Sequence, residues 1–278
     1  MNHAKKSEAV CGGERLIIAE NGQARSAIVI GPSSGDFIRW LAEEVQRHLK
    51  LISGADIPIL HGEAGPRATT RIVLGGPDVN PAAGAAAPSL ARELRDLKED
   101  GFILRSVATR DGSTLVAAGR DEAGTMYAAY DLLERLGIMF QMTRDIIPER
   151  KPDLTLAPLD VRCEPALRRR GHHLRHFVTP WMSADYLCGY LDQLAKMKCN
   201  YLEFYWYEGG PWVEYSYGGE RRLIGDLYTR ESGYTSWRTE THRFGRDDMA
   251  IGREVFDGRN LFAPEFEGCA TPEDAHRA

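Results

Sequence analysis

Carboxylates and aromatic rings are concentrated in one short segment of the chain, residues 200–215, whose sequence is NYLEFYWYEGGPWVEY. Three glutamates, Glu203, Glu208 and Glu214, stand there among seven aromatic side chains. Unpaired carboxylates are too costly to bury in a strand of an apolar core, and a solvated loop would expose many large apolar rings to water. An aromatic ring offers a flat face to the C–H side of a sugar, and carboxylates accept hydrogen bonds from its hydroxyls. The segment therefore predicts a carbohydrate-binding surface.

Alternation along this segment predicts two faces. Trp206 and Phe204 are expected to pack outward against helices, because neighbouring residues of a strand point to opposite sides. Glu203 then points away from those helices, and as a buried carboxylate it would need a partner. Arg170 on the neighbouring strand is one candidate partner, and a substrate is the other. The guanidinium of Arg170 is equally suited to bind a substrate carboxylate or hydroxyl. The sequence leaves these alternatives open.

The first part of the chain predicts an α/β domain over residues 1–165. Strands are expected at residues 15–19, 26–31 and 70–76, and two more lie either side of an Asp-Gly turn at residues 111–112. One helix is expected to start at the N-cap Ser34 and to end at Gly54, and a second to start at the N-cap Asp121 and to end at Gly137. Residues 80–89, NPAAGAAAPS, are predicted to be a loop of small residues.

The second part, residues 166–278, predicts the first three βα units of an incomplete (β/α)8 barrel. Strands are expected at residues 168–174, 201–207 and 259–266, with helices after Ser183, at residues 246–258 and from Thr271. Residues 218–245 are predicted to be a long polar loop. Because a complete barrel needs about 250 residues, the chain is expected to be a C-terminally truncated piece. Barrel enzymes carry their sites at the carboxyl ends of the strands, where Glu208, Trp212 and Glu265 fall.

Three segments in this order, RRGHHLRHF, NYLEFYWYEGGPW and NLFAPEF, resemble the start of the catalytic barrel in the hexosaminidase-like superfamily of glycoside hydrolases. The residues at matching places are Arg170-Gly171, Arg175-His176-Phe177, Glu208, Trp212 and Pro264-Glu265. The preceding segment, GRDEAGTMYAAYDLLERLG, resembles the small α/β domain that comes before the barrel in hexosaminidases and α-glucuronidases. There are departures: the spacing after Arg170-Gly171 is shorter, and Glu203 and Tyr205 stand where hexosaminidases often have His.

The resemblance implies a glycoside hydrolase that cleaves O-glycosyl bonds. Glu208 and Glu265 are the expected catalytic or supporting carboxylates, and the expected substrate-binding residues are Arg170, His176, Glu203, Tyr205 and Trp212. The Asp-Glu pair of hexosaminidases follows strand four, so the principal catalytic carboxylates are expected beyond Ala278. The glucuronidase-type first domain and the departures in strand one favour a uronic-acid glycosidase similar to an α-glucuronidase. A β-N-acetylhexosaminidase-like enzyme and a non-catalytic or degenerate glycan-binding module stay open as alternatives.

Composition and spacing argue against other function classes. A net charge of −5 does not favour nucleic acid as a partner, and no apolar run reaches the length of a membrane helix. The five cysteines form no Cys-x-x-Cys pair, which favours free thiols in a cytoplasmic protein. His172, His173 and His176 lack the helical spacing of metalloprotease ligands. We expect no metal and no cofactor, and the expected partner is an oligosaccharide or glycoside; the oligomeric state is not predicted.

Overall fold

The computed structural model describes residues 5–8, 14–62, 68–109, 112–174, 184–204, 213–217 and 220–224. The chain divides into two compact units. The first unit comprises Met1–Arg168 together with Lys196–Lys198, and the second comprises Arg169–Ala195 together with Cys199–Ala278. Both contain helices and strands, so the α/β fold class is confirmed. The assignment of residues 1–165 to an accessory domain and of residues 166–278 to part of a barrel stays a prediction.

Twelve strands and four helices make up the described part of the first unit. In chain order they are β1 Lys5–Glu8, β2 Leu16–Glu20, β3 Gln23–Ala24, β4 Ser26–Ile30, α1 Asp36–Ser53, β5 Ile59–His61, β6 Thr70–Leu74, α2 Pro81–Ala86, α3 Leu90–Arg95, β7 Phe102–Thr109, β8 Gly112–Gly119, α4 Glu122–Arg135, β9 Met139–Gln141, β10 Arg144–Ile146, β11 Leu154–Leu156 and β12 Asp160–Glu164. The predicted strands and both predicted helices are therefore present.

A seven-stranded mixed sheet forms the centre of the first unit, in the order β1-β12-β7-β8-β6-β4-β5. Strands β5, β4, β6 and β8 run parallel, and β7, β12 and β1 continue the sheet by antiparallel pairing. Every residue of β4 is buried. A parallel strand covered on both faces reads as a continuous apolar run, which explains the sequence SAIVI.

Helix α1 buries the stripe that its periodicity predicts, with Leu41, Val45, Leu49 and Ile52 fully buried. Gly54 ends it in the left-handed conformation, at φ 82°, as expected. The predicted N-cap Ser34 is wrong, because Gly35 occupies that position and the helix begins at Asp36. The amide of Ser34 instead donates to the carbonyl of Gly31 at 3.2 Å, which closes a turn one residue ahead of the helix.

The N-cap of α4 is confirmed, since Oδ1 of Asp121 accepts a hydrogen bond from the amide of Gly124 at 2.7 Å. The predicted loop at residues 80–89 is wrong, because residues 81–86 form α2. Asn80 caps this helix and Pro81 stands in its first turn, an arrangement that favours helix initiation. Helices α2 and α3 pack on the sheet through a cluster of buried residues that includes Ala83, Leu90 and Val73.

The described part of the second unit is built on one βαβ element. It contains β13 Gly171–Leu174, α5 Ala184–Lys196, whose last residue groups with the first unit, β14 Tyr201–Phe204, β15 Val213–Tyr217 and β16 Glu220–Ile224. Strands β13 and β14 are parallel. This matches the first predicted βα unit and the strand that follows it. The N-cap Ser183, the predicted strand at residues 259–266 and the predicted helices at residues 246–258 and from Thr271 lie outside the described residues.

The predicted polar loop at residues 218–245 is wrong at its start, because β16 pairs with β15 in an antiparallel hairpin. The register joins Tyr217 to Glu220, so two residues of the sequence, Gly218 and Gly219, separate the strands. A Gly-Gly pair between two short strands is a hairpin signal that the interpretation as a polar loop overlooked. No helix in the described part of the chain has both the length and the apolar character needed to cross a bilayer.

Candidate functional site

Two of the seven predicted site residues, Arg170 and Glu203, belong to the described part of the chain. Their neighbours on the predicted barrel mouth lie outside the described residues: His176, Tyr205, Glu208, Trp212 and Glu265. The roles of these five stay predictions. Strands β13 and β14 with helix α5 therefore form the candidate site that the structure describes.

Helix α5 marks one face of the two-stranded sheet. Nδ1 of His172 lies 2.8 Å from the hydroxyl of Tyr190 on α5, and the two rings meet edge to face with centroids 6.1 Å apart. Because side chains alternate along a strand, His172 and Leu202 share the face towards α5, and His173 and Glu203 share the opposite face. His172 and Leu202 are half-buried, whereas His173 and Glu203 are exposed. Glu203 thus points away from the helix, as its position in the sequence predicts.

Arg170 and Glu203 are held at different ends of their strands. Arg170 precedes β13, and Glu203 is the third of the four residues of β14. The amide of Arg170 donates to Oδ1 of Asn200 at 2.8 Å, and its carbonyl accepts from the amide of Asn200 at 2.7 Å. These bonds join the segments in front of the two strands. Of the two residues, Glu203 is the nearer to a carboxyl end, where a barrel binds its substrate.

The side chain of Arg170 is buried, with 8% of the residue exposed. Burial raises the pKa of the Cys199 thiol, and the charge of Arg170 opposes that rise, so the guanidinium lies near Cys199. The sequence left open an ion pair between Arg170 and Glu203. Within the described part of the chain, Arg170 is not among the contacts of Glu203. The carboxylate of Glu203 accepts only a long hydrogen bond there, 3.4 Å from the hydroxyl of Tyr201 to Oε2.

Two further contacts position Tyr201 beside Glu203. The guanidinium carbon of Arg169 lies 5.3 Å from the centroid of the Tyr201 ring, which is within the range of a cation–π interaction. Gly171 pairs with Tyr201 across the two strands, and a Cβ at Gly171 would overlap with the carbonyl of Tyr201. The first strand therefore needs glycine at this position to approach the second so closely.

A second group of titratable residues lies in the first unit and was not predicted. Ligand atoms of Glu44, His48 and Asp145 lie within 4.8 Å of one another, which is close enough to test for a metal site. His48 is fully buried, and its Nε2 lies 3.0 Å from Oδ2 of Asp145. Glu44 and His48 are spaced i, i+4 on α1, which is a readable signal, but Asp145 comes from a distant part of the chain.

Two cations already balance the carboxylates of this group. Nζ of Lys196 lies 2.9 Å from Oδ2 of Asp145, and Nε of Arg47 lies 3.0 Å from Oε2 of Glu44. Burial raises the pKa of Glu44, but the hydrogen bond from Arg47 and the nearby positive charges outweigh it, and the net pKa lies below its usual value. A divalent cation would have to displace Lys196 or Arg47 from these oxygens. We therefore interpret the group as an ion-pair network that stabilises the first unit.

Comparison with known families gives a match in the first unit. Residues 18–132 match the family described as "Glycosyl hydrolase family 67 N-terminus". A search of curated protein sequences gives no match.

Several solved structures are similar in fold. A family GH115 4-O-methyl-α-glucuronidase with specificity for decorated arabinogalactans is 18% identical, with a TM-score of 0.53 over 68% of this chain and 26% of its own. A variant of Streptomyces plicatus β-hexosaminidase in complex with GlcNAc is 17% identical, with a TM-score of 0.47 over 73% of this chain and 34% of its own. The GH20 β-N-acetylhexosaminidase from Streptomyces coelicolor A3(2) is 18% identical, with a TM-score of 0.47 over 71% of this chain and 33% of its own.

The chain thus spans between about a quarter and a third of the length of these structures. The family match and the glucuronidase fold confirm the resemblance to glycoside hydrolases of the hexosaminidase/α-glucuronidase-like superfamily. Neither the substrate nor the activity of this chain follows from the comparison, because a fold shared at 18% identity does not imply a shared substrate.

Proposed function

We propose that the protein acts in the hydrolysis of uronic-acid glycosides, as an α-glucuronidase-like glycoside hydrolase. The observation that carries the proposal is the position of Glu203, an exposed carboxylate near the carboxyl end of β14, on the face opposite α5. Its support comes from the match of residues 18–132 to a glycosyl hydrolase N-terminus and from the fold shared with a 4-O-methyl-α-glucuronidase.

Glycoside hydrolysis commonly uses two carboxyl groups, one on each side of the scissile bond. One protonates the leaving oxygen, and the other either activates a water or attacks the sugar directly. We assign Glu208 and Glu265 to the catalytic or supporting carboxylates. Arg170, His176, Glu203, Tyr205 and Trp212 are the proposed substrate-binding residues.

The test is an assay of the full chain on three chromogenic substrates: p-nitrophenyl glucuronide, galacturonide and N-acetylglucosaminide. We expect release of p-nitrophenol from a uronide, and its loss in Glu208→Gln and in Glu265→Gln. Each change removes one ionisable carboxyl while keeping the size of the side chain. Glu43→Gln is the matched control, because Glu43 is an exposed carboxylate on α1 in the first unit.

The outcomes separate the alternatives. Cleavage of the N-acetylglucosaminide alone would replace the uronidase by a hexosaminidase-like enzyme. A folded chain that binds a sugar without cleaving any of the three substrates would be the non-catalytic module. A folded chain that neither binds nor cleaves them would refute the proposed function.

We also propose that the protein is cytoplasmic and binds neither nucleic acid nor membrane. The scattered cysteines support the first statement, since Cys163, Cys188 and Cys199 form no disulfide within the described part of the chain. The acidic net charge of −5 supports the second. Cell fractionation with an antibody against the chain tests the location, and recovery in a membrane or secreted fraction would refute it.

A further inference from the structure

Two aromatic side chains lie near the start of helix α1 in the first unit, away in sequence from every proposed site residue. Trp40 is 42% exposed, and Phe37 is half-buried. Their ring centroids are 5.7 Å apart, and the ring planes are tilted by 39°. Because Phe37 packs against the indole, it restricts the orientations that the Trp40 ring can take. Helix α1 therefore presents an oriented aromatic surface to solvent.

An open ion pair borders this aromatic surface. Side chains of a helix lean towards its N-terminus, so the Trp40 ring covers the turn that contains Asp36 and Phe37. Nη2 of Arg39 lies 3.0 Å from Oδ1 of Asp36. The side chain of Asp36 is fully exposed, and about half of the Arg39 side chain is exposed. An ion pair so open to water is weak, so both groups can bind hydroxyls at little cost.

The exposed area of Trp40 is too small for a protein partner. A tryptophan side chain offers roughly 250 Å² of surface, so an exposed fraction of 42% leaves about 100 Å². A stable protein–protein interface buries about 800 Å² on each partner around an apolar centre. The other exposed side chains in the first half of α1 are charged: Asp36, Arg39 and Glu43. A sugar ring fits this surface better, because it has one small C–H face and a rim of hydroxyls.

We propose that Trp40 is the platform of a second carbohydrate-binding site, which holds one sugar residue of the glycan substrate. The choice of a glycan as ligand rests on the proposed function. The C–H face of the sugar stacks on the indole, while the Asp36 carboxylate accepts from its hydroxyls and the Arg39 guanidinium donates to them. Phe37 is a positioning residue, because it holds the indole in place. A second site of this kind keeps the chain attached to a polysaccharide.

The test is affinity electrophoresis of the full chain in gels that contain a soluble polysaccharide carrying glucuronic acid, on a galactan or a xylan backbone. Trp40→Ala should raise Kd about tenfold, because it removes about 100 Å² of apolar contact. Trp40→Phe keeps a smaller ring and should recover part of the affinity. Leu51→Ala is the matched control, because Leu51 is a large apolar residue on the same helix and is 46% exposed. Its Kd should equal that of the native chain.

Fluorine NMR of the chain labelled with 5-fluorotryptophan separates direct contact from a structural role. The chain has five tryptophans, and the resonance of Trp40 is the one that is absent from Trp40→Phe. This resonance should shift on titration with oligosaccharides cut from the bound polysaccharide. Asp36→Ala should raise Kd about threefold, which corresponds to the loss of one exposed hydrogen bond. Unchanged Tm values check that the variants fold, and a Trp40 resonance that does not shift would overturn the inference.

The inference and the proposed function fail in different ways. If the chain cleaves a uronide and Trp40→Ala binds the polysaccharide with the native Kd, the proposed function stands and this inference is refuted. If the chain cleaves none of the p-nitrophenyl substrates and Trp40→Ala weakens polysaccharide binding, the inference stands and the uronidase is refuted. A native chain that binds neither polysaccharide refutes the inference. Self-association in sedimentation runs that Trp40→Ala abolishes, without polysaccharide binding, would assign Trp40 to a protein interface instead.

Discussion

Asn80 is expected to be one of the most sensitive positions in the first unit. It is fully buried at the start of α2. Its Nδ2 donates to the carbonyl of Val29 at 3.0 Å and to the carbonyl of Leu74 at 2.9 Å. Its Oδ1 accepts from the amide of Ala82 at 3.3 Å. One side chain therefore joins the ends of the parallel strands β4 and β6 and caps a helix.

The expected loss in the free energy of unfolding for each Asn80 variant follows from the number of these hydrogen bonds that it removes. Loss of an N-cap costs about 1 kcal/mol of the free energy of unfolding, and loss of each buried hydrogen bond costs a further ~1 kcal/mol. Asn80→Ala removes all three and should cost about 3 kcal/mol. Asn80→Ser keeps a capping oxygen but cannot reach the two carbonyls, and should cost about 2 kcal/mol. Asn80→Asp keeps the cap but places a carboxylate against two carbonyl oxygens without solvent, and should cost the most.

The assay is urea unfolding of the full chain followed by far-ultraviolet circular dichroism, at neutral pH. From most to least stable, the expected order is the native chain, Asn80→Ser, Asn80→Ala and Asn80→Asp. If Asn80→Asp is as stable as the native chain, the side chain acts only as a helix cap and the bonds to Val29 and Leu74 contribute nothing. If all three variants have the same free energy of unfolding as the native chain, the whole reasoning is refuted.

Two other predictions concern acid stability and strand approach. The hydrogen bond from Arg105 lowers the pKa of Glu93 to about 2, so this pair stabilises the fold fully above pH 4.5 and progressively less as the pH falls towards 2. Glu93→Gln should therefore cost about 1–2 kcal/mol at pH 7, after allowance for partial exposure, and little at pH 2; an equal loss at both values would contradict this. Gly171→Ala should separate β13 from β14, because its Cβ would meet the Tyr201 carbonyl; unchanged amide hydrogen exchange in β14 would rule that out.

Local signals predicted the helices whose ends are set by their own residues. Asp121 caps α4 through an amide three residues away, and Gly54 ends α1 because glycine takes the left-handed conformation without strain. The apolar stripe of α1 is likewise visible in its spacing. The N-cap of α1 was misplaced by one residue, at Ser34 instead of Gly35, because a serine and a glycine both suit that position and only the turn geometry distinguishes them.

Elements that depend on distant partners were missed. Asn80 and Pro81 form a local start signal, but residues 81–86 are small and lack an apolar period that would indicate a helix after it. The cap, Asn80, is also tied to Val29, 51 residues earlier. The ion-pair network around His48 shows the same limit. The i, i+4 spacing of Glu44 and His48 is local, whereas Asp145 is 97 residues from His48, and only the packed fold brings it within 3.0 Å.

In the candidate site, too, the local features could be predicted from the sequence and the features that depend on distant partners could not. The amino-acid order alone determined that Glu203 and Phe204 point to opposite sides of a strand, because alternation is a property of the extended backbone. It also predicted that Glu203 points away from the helices, but it could not determine which residue of the first strand stands beside Glu203. That pairing was decided by the tertiary structure, in which α5 places His172 against Tyr190 and the register pairs His173 with Glu203 across 30 residues. Pairing at that separation is set by packing of the whole βαβ element, and a shift of one residue would have presented a different face.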